Sequence, residues 1–189
     1  MNVYDPYPEE IELDGKRIKL NLDFSRVLRV LDIQDMDDLT RSDKIEVQCK
    51  LLLADGEALP KSTEERARII RAAFDLLPKK EKRGSERFLD FHQDAALIRS
   101  AFFRIGVDLT RDRMHILQFL ELLADLPSDT ALMRTIEIRA KPIPKPTKHN
   151  GEQIAKLQQA KARVAIRLSE EERREQFAAS LKNSIVMRG

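Results

Sequence analysis

A chain of 189 residues, 42% of them hydrophobic, can bury a core without disulfide or metal staples. Its 34 basic and 32 acidic residues leave a net charge of +2, which lacks the strongly positive field of a dedicated nucleic-acid binder. The single cysteine excludes an internal disulfide; the longest apolar run, Leu51 to Ala54, is far too short to span a membrane, and MNVYDPYPEE lacks the basic and hydrophobic regions of a secretion signal.

In chain order, the spacing first predicts a β-hairpin. Asp14-Gly15 stands between the alternating segments Glu10 to Leu13 and Lys16 to Leu22, the strongest short signal for a two-residue turn. Ile11 and Leu13 share one face, as do Ile18, Leu20 and Leu22, so the hairpin needs helices to lie on. Asp23 or Ser25 is then expected to cap a helix carrying Phe24, Val27, Leu28 and Leu31, followed by an acidic loop, DIQDMDDL. Ser42 is expected to cap a second helix with Ile45, Cys49, Leu52 and Leu53; Cys49, beside Val47, Leu51 and Leu52, reads as a core thiol in a reducing cytoplasm. Ser62 and Glu65 form a capping box opening a third helix through Ile69, Ile70, Ala73, Phe74 and Leu77, which Pro78 ends. Lys79 to Arg87 reads as a solvated loop hinged at Gly84, since its charges are mixed and no aromatic is interleaved for base stacking.

The most informative stretch is Phe88 to Ala140. Phe91, Ala95, Ile98, Phe102 and Ile105 recur at helical spacing, and Leu117, Leu120 and Leu123 or Ala124 repeat the pattern after Gly106. Ser128 or Asp129 opens a short segment whose end, with Ile136 and Ile138 in alternation before a run of prolines, reads as extended chain. KPIPKP followed by HNG makes 141–151 a stiff spacer with a flexible end. Beyond it, Ile154, Leu157, Val164 and Leu168 define a sparse apolar stripe, and Ser169 with Glu172 forms another capping box before Phe177 and Leu181. Such a segment either packs loosely on its own domain or orders against a partner.

Chemistry-bearing residues do not converge in the sequence. His92, His115 and His149 fall on different elements, so no metal site is expected. Asp90 and Asp94 read as (i, i+4) helix neighbours and Asp108 as a helix cap, all structural. No nucleophile elbow, phosphate loop, dinucleotide fingerprint or paired-cysteine motif occurs. The reading is therefore of a non-enzymatic protein without a cofactor.

An ordered series of motifs resembles a known family. Asp90-Phe91 with Asp94, Ser100-Ala101-Phe102, Gly106-Val107-Asp108-Leu109, His115-Ile116-Leu117-Gln118-Phe119, Leu126-Pro127-Ser128-Asp129-Thr130 and Ile136-Glu137-Ile138-Arg139 follow one another as in tail-module proteins of long-tailed bacteriophages. That family was first named from a Listeria phage and is regarded as one of tail assembly chaperones. Ile116 and Leu117 stand where it often has tryptophans, and Asn150-Gly151-Glu152 with 156–168 resembles its closing helix. The resemblance implies a factor in the bacterial host cytoplasm that coats the tape-measure protein and helps gather tail-tube subunits around it.

The expected architecture is mainly α: a compact helical domain with a small N-terminal β-hairpin over 1–140, a Pro-rich spacer over 141–151 and a C-terminal helical arm over 152–189. Candidate partner-binding residues are Met114, Leu117 and Phe119 on the second central helix, and Ile154, Leu157, Val164, Phe177 and Leu181 in the arm. Each is apolar at a position that either packs inside or meets a partner. The expected partners are the tape-measure and tail-tube proteins. Self-association stays open, no membrane is involved and nucleic acid is disfavoured. Two other readings are a structural connector retained in the particle and a small DNA-binding adaptor.

Overall fold

Two consecutive left-handed residues shape the first element. In the computed structural model, which describes residues 4–78 and 87–167, Asp14 has φ 52° and Gly15 φ 75°, the pairing that lets a two-residue turn follow the twist of its strands. β1 (Glu10–Leu13) and β2 (Lys16–Lys19) pair antiparallel on either side of it, with Leu13 opposite Lys16 and Ile11 opposite Ile18. The second strand stops at Lys19, short of the expected Leu22, because the next backbone groups have other partners. Leu20 bridges to Leu53, the Asn21 N–H donates to the Leu52 carbonyl at 2.8 Å, and the Leu22 carbonyl accepts from Ile116 at 2.8 Å.

Three helices follow. α1 (Phe24–Gln34) starts at Asp23, whose carboxylate accepts the Ser25 N–H at 3.0 Å. Its buried side is Phe24, Val27, Val30 and Ile33, whereas Leu31, expected on the core face, is 46% exposed. The helix turns the Val30 side toward α2 (Arg41–Leu52), where the Gln48 amide donates to the Val30 carbonyl at 2.9 Å. α1 also absorbs Asp32 to Gln34, which were expected in the acidic loop.

α2 is capped by Thr40, not Ser42. Thr40 has an acidic residue three positions on that holds the capping hydroxyl in place: Thr40 Oγ1 accepts the Asp43 N–H at 3.2 Å and donates to the Asp43 carboxylate at 2.6 Å. Ser42 has Ile45 at that offset. α3 (Thr63–Asp75) opens at Ser62 as expected, with the Glu65 N–H donating to its hydroxyl at 3.4 Å. It closes before Leu77, whose N–H turns back to Phe74. Ile69 and Ala73 are its buried residues, and β1 packs against it.

The remaining described helices are α4 (Ala95–Arg104), α5 (Ile116–Ala124), α6 (Ala131–Ala140) and α7 (Gly151–Val164). The described chain is thus mainly helical with one small hairpin. α6 corrects two expectations. Its cap is Thr130, which accepts the Met133 N–H at 3.2 Å, in place of Ser128 or Asp129. Ile136 and Ile138 lie inside the helix and not in extended chain, because so short an alternation does not outweigh a good cap when the first proline comes only at 142. From Pro142 to Pro146 the chain is neither helix nor strand, as the prolines require.

The chain forms two compact units. One unit takes Met1–Arg83 and Gly106–Asp125, the other Gly84–Ile105 and Leu126–Gly189. In the first, α1, α2, α3, α5 and the hairpin surround Val27, Val30, Cys49, Leu52, Ile69 and Phe119. In the second, α4 packs on α6 and α6 on α7, around Ile98, Phe102 and Leu132. No helix among the described residues is long and apolar enough to cross a membrane.

The hairpin turn yields a clean test. A Cβ at Gly15 would meet nothing within 4 Å, so Gly15→Val acts only through its positive φ. It should lower stability to urea by about 1–3 kcal/mol without disturbing any packing.

Candidate protein-docking surfaces

Met114, Leu117 and Phe119 lie in the interior of the first unit, with exposures of 8%, 7% and 1%. The Phe119 ring stacks on Phe24 at 4.9 Å. The Met114 carbonyl accepts the Phe24 N–H at 3.0 Å, and the Leu117 N–H donates to His115. These three side chains are core and do not form a surface for a partner. The buried face of α5 is Ile116, Leu117 and Phe119, while Leu120 and Leu123 of the expected stripe are only half-buried.

His115 is the polar centre of this unit. It caps α5, its Nδ1 accepting the Leu117 N–H at 3.1 Å, and its Nε2 lies 3.1 Å from the Pro8 carbonyl. An acceptor at Nδ1 and a carbonyl at Nε2 define the neutral tautomer protonated on Nε2. Tyr7 stacks on the ring at 5.0 Å and donates to Glu121 at 2.6 Å, tying the chain before β1 to α5. An open hollow of about 330 Å³ beside it is lined by Glu9, Asn21, Asp23, Arg113 and His115, among others. Both imidazole nitrogens are engaged, and Asp23 is occupied by its cap and by Arg113 at 3.6 Å. Asp108 accepts from Thr110 in a turn well before α5, so it is a turn former and not the cap of that helix. Cys49 is fully buried, which pushes its thiol up to about 11 and leaves it a packing residue.

Burial holds the His115 imidazole below its ordinary 6.5, against the opposing pull of the Pro8 carbonyl, Glu9 and Glu121. A depressed folded-state pKa means that the stability it contributes is fully present above 6.5 and is lost as pH falls through the folded value. Urea midpoints should therefore fall between about pH 7.5 and about pH 5. His115→Asn keeps a capping oxygen and should remove this part of the pH dependence.

The second unit is organised by a buried ion pair. Arg139 and Asp94 have side chains 7% and 3% exposed, and two hydrogen bonds of 2.6 and 2.9 Å join the guanidinium to the carboxylate. The same guanidinium donates to the Phe88 carbonyl at 3.0 Å and, through Nε, to the Val164 carbonyl at 2.5 Å. Asp94 also accepts the Asp90 N–H at 3.0 Å. Burial alone would raise its carboxyl, but Arg139 and the Asp90 N–H together hold it below the usual carboxylate range. Asp90 and Asp94 are not neighbours along a helix, because α4 begins only at Ala95.

The arm residues Ile154, Leu157 and Val164 are half-buried on α7, which packs on α6 and has no fully buried residue. Its anchoring is polar. Lys161 donates to the Arg139 carbonyl at 2.5 Å, and Arg139 holds the Val164 carbonyl. The Gln93 side chain pairs with the backbone beyond the helix, donating to the Ala165 carbonyl at 2.9 Å and accepting the Arg167 N–H at 2.8 Å. Phe177, Leu181, Leu168 and the box at Ser169 lie outside the described residues, as does the basic run 79–86.

Among the described residues no group of three or more His, Cys, Asp or Glu could hold a metal ion. What the geometry offers instead is a helix held at its C-terminal end by side chains that recognise main-chain atoms. The family model described as Bacteriophage Gp15 protein matches residues 3–166, and the chain belongs to that family. It is thus a bacteriophage structural or assembly-related protein. No curated protein and no solved structure matches it.

Removing one partner of the buried pair strands the other charge. Arg139→Ala should cost about 3–5 kcal/mol in chemical denaturation. The double variant Asp94→Ala, Arg139→Met should recover much of that loss, since no uncompensated ion is left.

Proposed function

We propose that this protein is a tail assembly chaperone that binds and solubilises the tape-measure protein and helps recruit tail-tube subunits, without catalysis or a cofactor, in the cytoplasm of the infected bacterium. The observation that carries the reading is α7, a fourteen-residue helix tethered by the Pro-rich segment, whose apolar stripe stays half-buried. Membership of the phage family supplies the context.

A tape-measure chain is a long helical polymer that exposes apolar stripes, and it aggregates unless matching apolar surface covers them. Ile154, Leu157 and Val164 provide such a stripe; Met114, Leu117 and Phe119 are buried and do not take part. Repeated weak contacts along one template gain effective concentration and still yield to the growing tube. The half-burial of the stripe suits reversible contact better than permanent incorporation. It thereby disfavours a connector retained in the particle.

Co-expression with a tape-measure fragment tests the reading. The fragment should stay in the soluble fraction with the full chain. It should precipitate without the chain, and also with a version lacking 152–189 that still folds by circular dichroism. Equal precipitation with and without the full chain overturns the proposal, and stoichiometric copies in purified particles would favour the connector.

A further inference from the structure

The arm has a storage position, and its stripe is not freely presented there. Ile154, Leu157 and Val164 sit at steps of three and seven along α7 and are half-buried on the helix that packs against α6. Nothing on α7 is fully buried, so apolar packing alone holds it weakly. The fixed point is its C-terminal end, where Arg139 takes the Val164 carbonyl and Gln93 takes the Ala165 carbonyl and the Arg167 N–H. Carbonyls at a helix C-terminus lack partners within the helix, which makes them natural targets for donor side chains.

The two anchors differ in kind. Arg139 is committed to Asp94 inside the unit and cannot leave without stranding a buried charge. Gln93 is exposed, and its bonds to residues 165 and 167 lie at the surface. They can exchange for water at small cost. On the other side of the helix, 141–150 link α7 to α6 through Pro142, Pro144 and Pro146, a tether stiff enough to keep a released arm near its seat.

Resting on the chaperone reading, we infer that α7 is a stored partner-binding arm: Gln93 latches its C-terminal end to the second unit, and opening this latch frees the apolar stripe for an amphipathic helix of the tape-measure protein. Opening and binding are then linked. A chain whose competent state is populated a fraction of the time binds with its affinity reduced by that fraction, so a looser latch means tighter capture. Latch strength in turn limits how much stripe is exposed before a partner arrives, and with it the self-aggregation of the free chaperone.

The test uses the full chain and its Gln93→Ala variant, with Lys161→Ala as a second way of loosening α7. Two readouts are compared: hydrogen exchange of the α7 amides, and affinity for a synthetic amphipathic helix from the tape-measure protein of the same phage. Loss of the two Gln93 bonds should speed α7 exchange by about three- to tenfold. Affinity should rise by a similar factor, with Lys161→Ala moving both readouts in the same direction. Unchanged exchange in Gln93→Ala, or faster exchange with equal or weaker binding, overturns the latch while the chaperone reading stands. Absence of binding by every chain, including the original, removes the chaperone reading and this inference together.

Discussion

The Asp94–Arg139 pair is the constraint on which the second unit depends. Two charges taken out of water are stable only if every hydrogen-bonding position finds a partner. Arg139 meets that demand by reaching Asp94, the Phe88 carbonyl and the Val164 carbonyl at once, and Asp94 by also accepting the Asp90 N–H. The approach to α4, the last turn of α6 and, in its stored position, the end of α7 therefore meet at one guanidinium. A lysine could not replace it, since the ammonium has no planar fork with which to serve a carboxylate and two carbonyls together.

The first unit solves a comparable problem with neutral groups. His115 satisfies an orphan N–H at the start of α5 with one nitrogen and a carbonyl before β1 with the other, under the stacked ring of Tyr7. This joins segments more than one hundred positions apart without burying a full charge. A neutral ring is cheap to bury near neutral pH and expensive once protonated, so His115 lowers the stability of this unit as pH falls.

Elements with complete local signals were legible in the sequence. Asp14-Gly15 requires positive φ at both residues, and Ser62 with Glu65 states its helix start outright; both stand where the pattern put them. Where two signals competed, the local rule misled: Thr40 won over Ser42 through Asp43, and the alternation around Ile136 yielded to a helix begun at Thr130. Apolar periodicity indicated that Met114, Leu117 and Phe119 matter without distinguishing core from surface, and burial assigns them to the core. The ion pair was invisible to spacing because its partners are 45 positions apart. Yet its two residues were already present at the first and last of the family-like motifs, as Asp94 and Arg139. The Gln93 contacts had no sequence signal at all, since a side chain that reads main-chain atoms leaves no mark on the residues it reads.

Each unit has its own buried interior, and the second carries an arm secured mainly by polar contacts at one end. That division suits the proposed chaperone role, in which a long apolar partner is held and later surrendered. The most direct measurement is a nuclear magnetic resonance titration of the full chain with a tape-measure helix, following the Gln93 side-chain amide and the Arg139 Nη–H signals, which report the bonds to Asp94. Saturation should shift the Gln93 amide to its water-exposed position while Arg139 keeps the signature of its bonds to Asp94. A helix that saturates the protein with the Gln93 amide unmoved would contradict the account.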